Sequence, residues 1–329
     1  MQGIYKTRLS EKQLRDTAMA TFGRPLLAFE EMTDGWANSA FKLELDDGRK
    51  AVLKARPSSE LRFMRCEIDL MKTDVEAMGR FADTAGVPVP RIYVYDTSRE
   101  RLPVDYFVME FVEGKPLNRI RDELDEETRA SIHRQLGQIN RRINEVQGSG
   151  FGFYSGKLER SWPEAFYGMI AGVLADGRDA GVELPMAYPE LEKRIGDSLA
   201  LLEEIGEPKL LHWDLWDGNV FVKDGQVTGI VDFERAIWGD PLMEFYFSHF
   251  HNSEAFRQGY GIAIPDPAQI ARRKLYDLYL DLILYVECAY RQYDDRNHVR
   301  WAHDNLVRSI ERFSAEQRRP GLPESPSIQ

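Results

Sequence analysis

The stretch His212-Trp213-Asp214-Leu215-Trp216-Asp217-Gly218-Asn219-Val220 sets an aspartate, Asp214, shortly before an asparagine, Asn219, and Ile230-Val231-Asp232-Phe233-Glu234 follows with a second aspartate, Asp232. Between them, Asn219-Val220-Phe221-Val222-Lys223 and the run from Gln226 to Val231 read as two strands joined by an Asp224-Gly225 turn. Asn219 opens one strand and Asp232 ends its partner, so the hairpin returns an amide oxygen and a carboxylate to the same place. Oxygen donors of this kind hold Mg²⁺ against phosphates, and the remaining carboxylate accepts or orients an attacking hydroxyl. The chemistry that needs this set is phosphoryl transfer. Two surface acids with no role are the plain alternative, and a lone Asp-to-Asn spacing would not exceed it. The ordered set with a hairpin between does, because a motif gains weight from its structural context.

The elements that must position these groups come before and after them. Residues 10–22 read as a helix with Ser10 as N-cap. Phe41, Leu43 and Leu45 alternate with Lys42 and Glu44, Asp46-Asp47-Gly48 turns the chain, and Ala51-Val52-Leu53-Lys54 resumes as a strand. Residues 59–83 carry Leu61, Met64, Ile68, Met71, Val75 and Met78 at helical spacing, and Val87-Pro88-Val89-Pro90 stops them. Strands are expected near 91–96 and 105–111. Beyond residue 115 helices are expected near 125–147, 162–178, 188–205, 244–256, 268–292 and 297–316, interrupted by the strand pair at 219–231. The whole reads as an α+β chain in two lobes: a small mixed, antiparallel β-sheet lobe over residues 1–112 and a larger, mainly helical lobe over 113–318. The Pro- and Ser-rich residues 319–329 are expected to form a loose tail.

With these motifs the sequence resembles the aminoglycoside phosphotransferase and choline kinase-like family, whose fold is similar to that of protein kinases. The family pattern HxDxxxxN reads His212, Asp214 and Asn219, the Asp-aromatic motif reads Asp232-Phe233, and the Gly-Asp-Pro segment reads Gly239-Asp240-Pro241 after Trp238. The resemblance spans roughly residues 20 to 310. It implies that Asp214 is the catalytic base, that Asn219 and Asp232 are the magnesium ligands, and that ATP or GTP is the phosphoryl donor. Trp213 departs from the smaller residue the family often has there, and packing is where its effect is expected.

The same resemblance extends to the first lobe. Lys54 ends a strand similar to the Val-Ala-Ile-Lys strand of protein kinases, where the ammonium reaches the nucleotide phosphates as a point charge. A carboxylate of the following helix should pair with it. Glu67, Asp74 and Glu76 are candidates, and alignment to the Val-Pro-Val-Pro segment favours Asp74 or Glu76, leaving the others as helix-surface acids. Thr33-Asp34-Gly35-Trp36-Ala37-Asn38-Ser39-Ala40 stands where the family keeps a phosphate-covering loop, with Asn38 and Ser39 as the polar contacts; an ordinary turn is the equal alternative. Phe107 to Gly114 resembles the segment joining the lobes, whose main chain at Glu110 and Val112 would bond the nucleobase.

The acceptor is less legible. Tyr276, Asp277, Tyr279, Asp281, Tyr285, Glu287, Tyr290, Tyr293, Asp294 and Asp295 offer acids and aromatic faces that suit an amine-bearing acceptor by charge and cation–π contact. Tyrosines at helical spacing that pack a core, with acids facing water, are the stronger alternative. Trp216, Asp217 and Glu234 are further pocket candidates, while Asp240 reads as structural.

Composition limits the classes. The chain has 329 residues and a formal net charge of -11, without a basic cluster, which argues against a nucleic-acid partner; the acidic balance fits a cationic acceptor, with an ordinarily acidic chain as the stronger alternative. The two cysteines, Cys66 and Cys288, lack metal-ligand spacing and point to a reducing compartment. No long apolar run suggests a signal peptide or a membrane span, so a cytoplasmic location is expected. The reading is thus a kinase that moves a nucleotide γ-phosphoryl group to a hydroxyl of a small molecule, an aminoglycoside or another amine-bearing compound. Choline, homoserine, methylthioribose, a macrolide or a glycated amine are the other acceptors, and a non-catalytic nucleotide-binding protein is the rival from another class. A protein kinase is disfavoured, because Gly239-Asp240-Pro241 follows Asp232 with no Ala-Pro-Glu segment between.

Overall fold

The structure is a computed structural model, which describes residues 5–32, 38–67, 69–262 and 266–317. Ser10 caps α1 (Glu11–Phe22) in a reciprocal capping box with Gln13, and Gly23 ends it in the left-handed conformation. The chain then builds a five-stranded antiparallel sheet from β1 (Leu26–Met32), β2 (Ser39–Leu45), β3 (Lys50–Ala55), β4 (Ile92–Asp96) and β5 (Tyr106–Glu110), in the order β1-β2-β3-β5-β4. The expected hairpin is β2–β3, which pairs Ala40 with Lys54 and Ser39 with Ala55. The edge strand β1 was not anticipated. Its side chains beyond Leu26 are largely exposed, Leu27 and Phe29 among them, so it lacks the alternation that marks a half-buried strand.

The helix expected over 59–83 is shorter. A 3₁₀ turn at Arg65–Glu67 precedes α2 (Leu70–Gly79), whose N-cap, Asp69, sits at φ 56°. Met64 fits the helical spacing yet is buried in the second lobe's core, on the approach to the helix. An apolar period does not distinguish a helix from a chain that packs on either side of it.

After β5 come β6 (Lys115–Pro116), α3 (Leu117–Ile120), α4 (Glu126–Asn144), β7 (Gly152–Phe153), α5 (Trp162–Asp179), α6 (Tyr188–Ser198), β8 (Lys209–Leu211), β9 (Val220–Lys223), β10 (Gln226–Ile230), β11 (Ile237–Gly239), α7 (Glu254–Tyr260), α8 (Pro267–Arg291) and α9 (Arg296–Gln317). Two small sheets, β10-β9-β6 and β7-β11-β8, flank the loop that carries Asp214. The helix expected over 244–256 is instead a 3₁₀ turn at Phe245–Phe247 followed by α7, whose first turn is capped by Ser253. Glu244 is drawn inward to serve backbone groups elsewhere, which breaks the helical register there. The main core lies between α5, α6 and α8, where Trp162, Phe166, Tyr276 and Tyr279 are fully buried and meet edge to face or tilted. The loop segment 33–37, the tail 319–329 and Ile68 lie outside the described residues. Among the described residues no helix is long and apolar enough to cross a membrane.

Candidate active site

The loop between β8 and β9 carries Asp214, and its shape is imposed from outside. Buried Glu244 accepts from the backbone N–H of His212 and of Trp213, each at 2.9 Å, and from the side-chain amides of Asn140 and Asn144 on α4, each at 2.8 Å. These bonds hold Trp213 at φ 63°, a conformation a bulky side chain rarely adopts. His212 is buried, its Nε2 3.1 Å from Val231 O, and burial lowers its pKa to about 4, so it stays neutral. The Trp213 side chain packs in the core against Tyr279, so its effect is on packing, as expected.

Asn219 and Asp214 are in direct contact. Asn219 Nδ2 donates to Asp214 O at 2.8 Å and lies 3.4 Å from Asp214 Oδ2. With the NH₂ end of the amide so engaged, its oxygen is the end left to face a cation. Asn219 and Asp232 flank the paired ends of β9 and β10: Ile230 pairs with Val220, and Val231 N donates to Asn219 O at 3.1 Å. Asp232 itself sits at φ 71°, which turns its carboxylate out of the strand direction.

Lys54 meets this group from the first lobe. Its Nζ lies 2.7 Å from Asp232 Oδ1 and 3.2 Å from Asp74 Oδ2. Asp74 Oδ1 accepts from Phe233 N at 2.8 Å, so the α2 carboxylate fixes both the lysine and the backbone that follows Asp232. Of the two helix acids left open by the sequence, Asp74 therefore faces the lysine. Glu76, two residues on and rotated by roughly 200° about the helix, is exposed and 3.9 Å from Lys72. Glu67 is no surface acid: it is buried against Arg291 at 2.7 Å.

Burial opposes charge on all of these groups, and the partners decide the outcome. Burial would lower Lys54, yet Asp232 and Asp74 outweigh it and hold the ammonium well above its usual range. Burial would raise Asp232, but Lys54 holds it below the ordinary carboxylate range. Asp74, deeper and sharing the same ammonium, is raised by burial more than Lys54 offsets. Burial pushes Asp214 up to about 7, with Arg235 pulling it down and Asp232 pushing it further up. Glu234 is pushed to about 8 by burial and by Asp232.

The remaining nucleotide-side residues stand as follows. Asn38 Nδ2 donates to Glu234 Oε2 at 2.6 Å across the lobes. Ser39 is buried and accepts from Thr7 N at 2.8 Å, a structural bond within the first lobe. Glu110 is exposed and ends β5, its N–H donating to Arg91 O at 2.8 Å. Val112 lies beyond it against Gly229, where an added Cβ would come within 2.4 Å of Val112 Cγ1. That close approach seats the segment between the lobes on β10, next to the hairpin that joins Asn219 to Asp232.

Oxygen donors are therefore concentrated at one point. Carboxylate oxygens of Asp74, Asp232 and Glu234 lie within 4.8 Å of one another, and the Asn219 amide is adjacent through the hairpin. All are hard donors, which fits Mg²⁺.

For α8 and its neighbours burial follows the stronger alternative, that the tyrosines pack a core, while several of the acids turn inward to partners rather than face water. Tyr276 and Tyr279 are core residues, and Asp277 takes Arg273 at 2.7 Å. Asp281 is held by His249 at 2.9 Å and by Ser309 at 2.5 Å, and Glu287 takes Arg235 at 2.9 Å. Asp217 accepts from Tyr246 at 2.6 Å and from Arg121 at 3.2 Å, a scaffold for its loop, while the Trp216 ring covers Gly218. Asp240 is structural as expected, bonding Leu242 N and Tyr276. Only Tyr285, Tyr293, Asp294 and Asp295 of the ten residues from the 270–300 stretch keep appreciable exposure. Arg235 and Glu244 gave no signal in the sequence, because their roles arise from contacts between distant segments.

Solved structures of the same fold accompany this geometry. A thermostable mutant of aminoglycoside phosphotransferase APH(4)-Ia is 20% identical, with a TM-score of 0.66 over 92% of this chain and 99% of its own. A candidate fructosamine-3-kinase of Thermobifida fusca YX-ER1 is 20% identical, with a TM-score of 0.65 over 91% of this chain and 100% of its own. The streptomycin–ATP complex of APH(2")-IIa is 12% identical, with a TM-score of 0.60 over 92% of this chain and 97% of its own. These likenesses establish the two-lobed, kinase-like α+β fold. No curated protein matches the sequence. The family model described as the phosphotransferase enzyme family matches residues 28–273, and the chain belongs to that family.

Proposed function

We propose that the protein is a Mg²⁺-dependent small-molecule kinase that transfers the γ-phosphoryl group of ATP or GTP to a hydroxyl. Asp214 is the base that aligns the acceptor hydroxyl, Asn219 and Asp232 are the magnesium ligands, and Lys54, fixed by Asp74, holds the phosphates. The main chain at Glu110 and Val112 bonds the nucleobase, and Asn38 closes the cleft over the phosphates. The observation that carries this reading is the meeting of Lys54, Asp74 and Asp232 within hydrogen-bond distance, from three separate segments, beside an Asn219 turned onto Asp214. Positioning and charge neutralisation supply most of the rate in this reaction class, and these groups provide both. A binding module would have no use for a carboxylate such as Asp214 held next to the proposed metal ligands.

The acceptor is a hydroxyl-bearing small molecule. Hygromycin B and streptomycin, bound by structural neighbours, open the panel. Choline, homoserine, methylthioribose, macrolides and glycated amines complete it. The engagement of Asp277, Asp281 and Glu287 by internal partners favours acceptors with few positive charges over highly cationic ones. The test is nucleotide consumption with Mg²⁺ across this panel, with Asp214→Ala as control. Acceptor-dependent turnover lost in the variant, with nucleotide binding within about twofold, supports the reading. Equal turnover in both removes Asp214 from the mechanism.

A further inference from the structure

A row of rings starts at the loop that carries Asp214 and runs outwards along the second lobe. Tyr246 donates from its hydroxyl to Asp217 Oδ1 at 2.6 Å, within that loop, and its ring stacks on His251 at 4.3 Å. His251 meets Phe245 at 5.2 Å, Phe245 stacks on Phe250 at 5.8 Å, Phe250 on Trp301 at 5.6 Å, and Trp301 on His298 at 5.3 Å. From there the contacts lead back to the loop. Tyr293 meets His298 at 5.2 Å and accepts from Arg291 at 3.2 Å. Arg291 and Arg235 share Glu287, at 3.3 Å and 2.9 Å, and the Arg235 guanidinium lies 5.8 Å from the Trp213 ring. Both ends of the row are therefore fixed to the loop, at residues 213 and 217, on either side of Asp214.

Exposure and geometry set this row apart from the core. Phe245, Phe250, His251 and His298 are half-buried, and Trp301 is 42% exposed. The core rings Trp162, Phe166, Tyr276 and Tyr279 meet largely edge to face, whereas Phe245, Phe250, Trp301 and His298 follow one another at interplanar angles of 15°, 28° and 30°. At these centroid spacings near-parallel rings are displaced sideways, so each leaves part of a face uncovered. The result is a flat strip. A cage for a quaternary ammonium instead turns its ring faces towards one point. Charge argues the same way: Asp217 and Glu287, the carboxylates at the two ends, are each engaged by arginine, so neither offers its charge to a cationic ligand.

We propose that this strip is the acceptor-binding wall, and that the acceptor is a hydroxyl compound with a planar, uncharged ring system that lies on Phe250 and Trp301 while its hydroxyl reaches Asp214. This rests on the proposed kinase reading for the fate of the hydroxyl. Its oxygen bonds the γ-phosphorus as the bond to the leaving nucleoside diphosphate breaks, and its proton goes to Asp214. Burial of a ring face and offset stacking supply the affinity. A flexible, highly charged sugar gains little from a flat apolar strip.

The test uses the full chain with Mg²⁺ and ADP or GDP present. Naphthylmethanol is the planar probe and its saturated decalin counterpart the control of similar size, both titrated by ligand-observed NMR. The planar alcohol should bind about fivefold tighter, as one added ring contact allows. Trp301→Leu should abolish that preference and Trp301→Phe should keep most of it. A planar alcohol that binds no better than the saturated one overturns the proposal, as does a preference unchanged in Trp301→Leu. Choline binding tighter than either alcohol overturns it too. If Trp301→Leu does not fold, Phe250→Leu compared with Phe250→Tyr decides by the same ratio. Nucleotide consumption is scored separately. Retained preference for the planar alcohol, with no consumption for any hydroxyl compound, would overturn the kinase reading while the ring selectivity stands, so the two failures are separable.

Discussion

At the scale of single residues, the electrostatics of the cleft set a pH dependence. In the base role proposed for it, Asp214 must be deprotonated, and burial has moved its carboxyl up to about 7. Acceptor turnover should therefore fall with unit slope as pH drops through about 7 and level off above it, rather than persist to the ordinary carboxylate range. Asp214→Asn should lose that limb together with about 10²–10⁴ of the rate, read from kcat/KM between pH 5 and 9. The two helix acids give a second prediction. Asp74→Asn removes the anchor of Lys54 and weakens the bond that holds Phe233 N, and a buried group left without its partner costs about 1–3 kcal/mol. Glu76→Gln removes an exposed contact, and nucleotide affinity and stability should stay within about 0.5 kcal/mol of the parent. Urea unfolding and nucleotide titration of both variants check this pair; equal effects would mean that Lys54 does not distinguish them. Asp214, Asn219 and Asp232 were legible in the sequence because their spacing and the turn between them are local. The choice between Asp74 and Glu76 was not, since it depends on the phase of a helix whose true start, Leu70, is hidden behind an apolar pattern that begins earlier.

At the scale of elements, α4 and α7 meet through glycine. A Cβ on Gly137 would lie 2.2 Å from Phe256 O, and one on Gly259 would lie 2.0 Å from Arg134 O. Both obstacles are main chain, which cannot rotate away. Gly259→Ala should therefore cost about 1–3 kcal/mol by overpacking, more than an exposed helical Gly→Ala change, which usually stabilises. A urea midpoint at or above the parent's would show that the helices can separate without loss. This contact was invisible in the sequence: the expected 244–256 helix overran the 3₁₀ turn and stopped short of Gly259. The pattern there is apolar enough for a helix, and only the inward turn of Glu244 excludes it. Short strands such as β8 and β11 were missed for a related reason, because three residues carry no period.

At the scale of the whole molecule, the two lobes are tied by charge through the 3₁₀ turn that precedes α2. Glu67 meets Arg291 at 2.7 Å, Arg291 meets Glu287 at 3.3 Å, and Glu287 meets Arg235 at 2.9 Å, all largely buried. Arg235 in turn acts on Asp214. Burial would raise the Glu67 carboxyl, but Arg291 and Arg235 outweigh it and hold it below its ordinary value. Its contribution to stability is thus full above the ordinary carboxylate range and is lost as pH falls below it. Glu67→Ala should cost about 3–5 kcal/mol, the penalty for breaking a buried pair, and Arg291→Met a similar amount. The double variant should cost clearly less than the sum, measured by a double-mutant cycle in urea. Strict additivity would mean that the pair does not join the lobes. The two-lobed α+β plan was legible, because a strand-rich first third and a helix-rich remainder survive any error of boundary. The tie between the lobes was not, since Glu67 and Arg291 stand far apart in the chain.

The carboxylate of Glu244 has a last consequence. Residues 211–220 owe their bend to a receptor for two amides that sits outside them and is itself braced by a pair of asparagines. Grafted onto a foreign scaffold, this decapeptide would bring along its acid and its amide side chain but leave behind the mould that shapes them. The portable unit is the loop, the turn after β11 and one face of α4, moved together.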